Sequence, residues 1–172
     1  RTPNAHITHN FIHHNLEQDL GYGVVVSKDG YAMIDGQTFV SNRHAIASDG
    51  HPGSSYRAWY NLVLSYGPLQ RGPLDWPFHT QDFDMHGTLS GGFGGTAGDY
   101  VDVSSNTFFG TNRPNFELRG YPCAYDEFHG NVSLESMSDA LKWKLVAFRL
   151  GDDASIDYSN PYLRASESPN QF

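Results

Sequence analysis

Apolar and polar positions alternate along this chain in short runs, and the runs recur. Five segments superpose: Ile7-Thr-His-Asn10-Phe-Ile12, Ile34-Asp-Gly-Gln37-Thr-Phe39, Ala58-Trp-Tyr-Asn61-Leu-Val63, Val103-Ser-Ser-Asn106-Thr-Phe108 and Phe128-His-Gly-Asn131-Val-Ser133. Each opens on an apolar residue and carries Asn or Gln three positions later. Their first residues are separated by 27, 24, 45 and 25 positions, so the long interval equals one period plus an insertion. A second short alternating run follows each of the first four: Gly23–Val26, Arg43–Ile46, Asp82–Met85 and Asn115–Leu118. Period-2 alternation over a few residues, punctuated by Gly and Asn, predicts strands and turns rather than helices.

Two or three short strands in each period of about 25 residues mark a stacked solenoid. The pattern predicts an all-β, single-stranded right-handed parallel β-helix of about five coils over residues 1–135, with a loop insertion near 67–98. Residues 136–172 then form a C-terminal cap or extension that covers the open end, as a short helix near 138–143 or a last strand from Trp143 to Leu150. In such a stack Asn10, Gln37, Asn61, Asn106 and Asn131 form a ladder of inward amides that bond to backbone groups left unpaired at a sharp corner. Ile7, Ile34, Ala58, Val103 and Phe128, with Ile12, Phe39, Val63 and Phe108, fill the interior. A β-sandwich also has many short strands, but it gives no reason for an amide to recur at one phase of the repeat. No cap matches the C-terminal one before Arg1, which points to a processed or truncated start and leaves an edge for end-to-end self-association.

Composition agrees with strands and turns. The 172 residues include 18 Gly and 14% aromatics, and only 17% are charged, an inventory unlike that of helical bundles. Nineteen acidic residues against eleven Lys and Arg give a net charge of −8, which excludes a phosphate-neutralising nucleic-acid binder. No apolar run reaches the ~20 residues of a membrane span. Cys123 stands alone, so neither a disulfide framework nor a cysteine metal site is expected. The sequon Asn131-Val-Ser133 falls on a ladder amide and carries little weight.

Residues Asn4 to Asn131 resemble the right-handed parallel β-helix repeat proteins through Ile12-His-His-Asn15, Gly21-Tyr-Gly-Val-Val-Val26 and Asn42-Arg-His-Ala-Ile46. That class includes polysaccharide lyases, glycosidases, uronan epimerases and phage tailspikes. The resemblance implies a secreted or cell-surface protein whose partner is a polysaccharide or other glycan.

Chemistry concentrates in Asp82-Phe-Asp84-Met-His86-Gly. Alternation puts Asp82, Asp84 and His86 on one face, together with Arg43, Glu117 and Arg119, while His44 falls inward or at a turn. The motif resembles the Phe-Asp-Pro-His core of mannuronan C5-epimerases. That resemblance implies His86 as acid/base at C5 of a uronate, Asp84 as its partner, and Arg43 or Arg119 as carboxylate clamp. The family's tyrosine position is Gln81 here, and Tyr56 or Tyr60 would take its role. Two other readings stay open: Asp82 and Asp84 as an acid/base pair of a glycosidase, and Asp82, Asp84 and His86 with His79 or His44 as ligands of a divalent metal. No cofactor is demanded, and calcium is the candidate. Arg57, Trp76 and Glu117 are further substrate-binding candidates, Trp76 from the insertion that would wall the site.

The expectation is therefore a carbohydrate-active β-helix, a lyase or uronate C5-epimerase acting by proton abstraction at C5. The alternative is a non-catalytic structural or adhesion module that binds glycan or assembles end to end, because outward polar residues on a solenoid are also what a solvated face looks like.

Overall fold

A computed structural model describes residues 2–16, 20–64, 81–109 and 115–134, together with strands at 148–150 and 163–164. The strands form three sheets. The first contains β1 (Ala5–Thr8), β4 (Tyr31–Asp35), β7 (Ser55–Trp59), β10 (Tyr100–Ser104), β13 (Tyr125–His129) and β16 (Leu163–Arg164). The second contains β2 (Phe11–His13), β5 (Thr38–Val40), β8 (Leu62–Leu64), β11 (Thr107–Phe109) and β14 (Val132–Leu134). The third contains β3 (Tyr22–Val26), β6 (His44–Ser48), β9 (Phe83–Met85), β12 (Phe116–Leu118) and β15 (Phe148–Leu150).

The chain visits the sheets in rotation, and every strand pair among the described residues is parallel. That arrangement fits a β-helix-like solenoid and excludes a sandwich of antiparallel hairpins. Among the described residues no helix is long and apolar enough to cross a membrane.

Parallel pairing stacks equivalent residues at the strand spacing of about 4.8 Å. Ile7, Ile34, Ala58, Val103 and Phe128 stand in register. So do Ile12, Phe39, Val63 and Phe108 in the second sheet and Val24, Ile46, Phe83 and Phe116 in the third. The columns meet in one apolar core between the sheets.

The predicted amide ladder forms at the corner between the first and second sheets. Gln37 Oε1 accepts from the Asn10 backbone N–H at 3.0 Å, Asn61 Oδ1 from Gln37 at 2.9 Å, Asn106 Oδ1 from Asn61 at 3.0 Å and Asn131 Oδ1 from Asn106 at 2.9 Å. Gln37, Asn61, Asn106 and Asn131 also donate to a carbonyl of the preceding turn, that of Ile7, Ile34, Ala58 and Val103 respectively. The residue before every ladder amide has a positive φ: His9, Gly36, Tyr60, Ser105 and Gly130. Glycine adopts this left-handed bend without a Cβ clash, and the ladder bonds offset the cost at the other positions. Buried in this ladder, Asn131 has no room to carry a glycan.

A second amide corner, outside the predicted ladder, joins the second and third sheets. Asn42 Oδ1 accepts from the Asn15 side chain at 2.7 Å, and Asn42 Nδ2 donates to the Ile12 carbonyl at 2.9 Å. His14 and Ser41 supply the same positive-φ bend. The corner shifts the following strands, so that Arg43, Asp82 and Asn115 lie just before β6, β9 and β12 rather than inside them.

Residues 136–147, where a helix or strand was expected, lie outside the described residues. Residues 148–150, the end of the alternative strand over 143–150, form β15, which pairs with β12 and extends the third sheet.

Candidate functional site

Phe83 and Met85 enter the core, which turns Asp84 to the outer face of the third sheet, in register with Ala47 and Glu117. The chain then doubles back over this face. Gly87 and Leu89 donate to the carbonyls of Gly92 and Gly94, and residues 94–95 exchange backbone hydrogen bonds with Arg119 and Tyr121. A Cβ at Gly87 would collide with the carbonyls of Gly94 and Arg119, so the close approach requires glycine.

Beneath this cover Asp84 is fully buried. Arg119 grips it with two bonds, Nε to Oδ1 at 2.9 Å and Nη2 to Oδ2 at 2.7 Å. His86 Nε2 reaches Oδ2 at 2.7 Å. Glu117 Oε2 lies 3.8 Å from Arg119 Nε, and the Phe93 ring stacks 5.0 Å from the guanidinium. Burial alone would raise the Asp84 carboxyl, but the His86 hydrogen bond and the Arg119 charge outweigh it and hold the group below its ordinary range.

Asp84, His86, Glu117 and Arg119 are thus brought together, and the other expected members of the set are not. Tyr56 points into the core, where its hydroxyl donates to the Asp84 main-chain carbonyl at 3.3 Å. It sits beneath the sheet, on the opposite side from the carboxyl, and burial, together with the nearby Asp84 and Asp126 carboxyls, pushes the phenol well above its usual value. Arg43 donates to the Tyr22 hydroxyl at 3.1 Å and lies over that ring. His44 is buried, stacked on Tyr22, and donates from Nδ1 to the Gln81 carbonyl at 2.8 Å. Asp82 is buried just before β9, where it accepts from Asn115 at 3.2 Å. Trp76 and His79 lie outside the described residues.

Arg57, expected with this group, belongs instead to the outer face of the first sheet. Because alternate residues of that sheet enter the core, the register aligns three outward rows. Tyr31, Ser55, Tyr100 and Tyr125 form one, Met33, Arg57, Asp102 and Glu127 the next, and Asp35, Trp59, Ser104 and His129 the third. Arg57 donates to Asp102 Oδ2 through Nε at 3.2 Å and Nη2 at 3.1 Å, and Trp59 Nε1 donates to the same oxygen at 2.9 Å. The guanidinium stacks 4.0 Å from the Trp59 ring. Tyr100 meets Tyr31 edge-on and stacks on Tyr125, each at 5.1 Å. Burial raises the Tyr100 and Tyr125 phenols, Tyr100 further through its hydrogen bond to Tyr31, so both stay neutral near pH 7.

Tyr31, Arg57, Tyr100 and Tyr125, with Asp99 and Cys123 at the wall, line an open cavity of about 560 Å³. The signal for this face was present in the sequence. Once Ile34, Ala58, Val103 and Phe128 are assigned inward, the residues on either side of each must face out.

Comparison of the chain with protein-family models, curated proteins and solved structures finds no match.

Proposed function

We propose that the chain is a right-handed parallel β-helix of about five coils, secreted or displayed at a cell surface, that binds a neutral polysaccharide without transforming it. Parallel crossover connections are right-handed in about 98% of cases, which supports the hand. One observation carries the functional reading: the tyrosine-lined cavity beside the Arg57–Asp102–Trp59 cluster on the first sheet. Aromatic rings take the apolar faces of sugars, and neutral phenols, the guanidinium and carboxylates supply the donors and acceptors that fix hydroxyls. The rows run along the stacking direction, so a linear polymer meets related chemistry at successive strands. Asp102 and Glu127 on this face, and the net charge of −8, disfavour a polyanion.

The direct test is retention on immobilised neutral polysaccharides, compared with alginate, pectate and glycosaminoglycans. Retention on a neutral polymer whose chain length stays unchanged is the expected result. Absence of retention on every polymer overturns the proposal.

A second reading, proton abstraction at C5 of a uronate, draws on the 2.7 Å Asp84–His86 contact and the Arg119 clamp. With Nε2 held by Asp84, the ring nitrogen left is Nδ1. It lies so close to Gly92 that a Cβ there would come within 2.8 Å of it. This reading therefore requires residues 88–96 to move aside. Absorbance of unsaturated uronates during incubation with alginate or pectate, lost in His86→Ala, would support it, and no signal from the wild type removes the lyase form of it.

A further inference from the structure

The same outer face carries a second cluster whose chemistry goes beyond sugar recognition. Asp102 on β10 stands directly opposite Glu127 on β13, and His129 follows two positions later on the same face. Like charges placed opposite each other on neighbouring strands repel. One donor atom from each of Asp102, Glu127 and His129 lies within 4.8 Å of the others. His129 Nε2 is 3.8 Å from Asp102 Oδ1 and 3.9 Å from Glu127 Oε2. These separations exceed hydrogen bonds and leave space between the three donors for a shared centre.

Asp102 supplies an independent observation. The residue is only 3% exposed, and its two oxygens are treated differently. Oδ2 accepts from Arg57 Nε, Arg57 Nη2 and Trp59 Nε1. Oδ1, buried and turned toward His129, makes no hydrogen bond. A buried carboxylate oxygen without a donor is costly to keep, and a cation at this point would satisfy it. The competing positive charge of Arg57 sits on the Oδ2 side, stacked on Trp59. β16 brings Arg164 into register beside Glu127 on the side away from Asp102.

We infer that Asp102, Glu127 and His129 form a divalent cation site. Two carboxylate oxygens and one imidazole nitrogen suit a borderline first-row ion such as Zn²⁺ or Mn²⁺ better than Ca²⁺, which prefers an all-oxygen shell. Glu127 and His129 are each about one-third exposed, so the ion is reachable from solvent and keeps open positions for water. The site stands whether or not the face binds glycan.

The experiment is calorimetric titration of the chelator-stripped protein with Zn²⁺, Mn²⁺ and Ca²⁺ in turn, with no glycan present, alongside thermal unfolding with and without each ion. The expected result is one Zn²⁺ or Mn²⁺ per chain and a raised unfolding temperature. Glu127→Gln and His129→Gln should each weaken binding by about tenfold or more, while His6→Gln, whose native Nε2 meets Asp35 Oδ1 at 2.7 Å on the same sheet, leaves it unchanged. Far-UV circular dichroism verifies that each variant is folded. No stoichiometric binding by the wild type, or equal binding by both ligand variants, overturns the site. Stoichiometric Ca²⁺ binding in place of Zn²⁺ or Mn²⁺ overturns the choice of ion.

Discussion

Asp126 faces inward on β13, in register with Val101, and its carboxyl lies in the core. Burial pushes it well above the ordinary carboxylate range, against a smaller opposing effect of the Val101 backbone amide. An acid whose folded pKa is raised binds more protons folded than unfolded. Its contribution is therefore fully present below the unfolded value near 3.9 and is lost as pH rises toward the folded value. Asp126→Asn removes that slope. The variant should gain stability relative to wild type between pH 4 and pH 7.5, read as a growing difference in thermal unfolding midpoint. A difference that stays constant with pH would contradict the assignment. The inward position of Asp126 was legible from the repeat, since it lies two residues before Phe128 in the inward column. The proton it keeps was not, because that depends on what surrounds it in the assembled core.

The corner is the element that turns three short strands into a repeating unit. Asn106 donates to the carbonyls of Ala58 and Ser104 and to Asn131 Oδ1, and its own Oδ1 accepts from both the backbone and side-chain N–H groups of Asn61. Removing it strands buried backbone groups on both sides, and each unsatisfied group costs about 1–3 kcal/mol. Asn106→Ala should therefore cost several times more than Asn10→Ala, where the side chain is exposed, as read from urea midpoints at unchanged slope. Equal, small losses at both positions would contradict a ladder that carries the turns. The first corner could be read from the sequence because its amide recurs at one phase through five segments. At the second, Asn15 and Asn42 are followed by Asp82 and then Asn115 at unequal intervals, so the amide column is broken in the sequence. That break is why Arg43 and Asp82 were expected inside strands when they belong to corners.

Over the whole molecule, two clusters of charged side chains among the described residues have different surroundings. Alternation correctly predicts that Asp84 turns outward with His86 beyond it. It says nothing of residues 87–98 folding across them, because that cover depends on the close approach of Gly87 and Gly94 to Arg119. A site expected to be open is therefore a buried polar network, with His86 its most exposed polar member at 32% of its side chain. In the row beside Arg57 and Asp102, Tyr100 and Tyr125 remain partly exposed at the cavity while Tyr31 is buried. The measurement that separates these two places is titration of the neutral oligosaccharide retained best by the wild type into Tyr125→Ala and His86→Ala, with folding of both verified by circular dichroism. Binding is expected to weaken by about tenfold or more in Tyr125→Ala, equivalent to roughly 1.4 kcal/mol, and to stay unchanged within about twofold in His86→Ala. Loss of binding in His86→Ala with full retention in Tyr125→Ala would contradict this expectation.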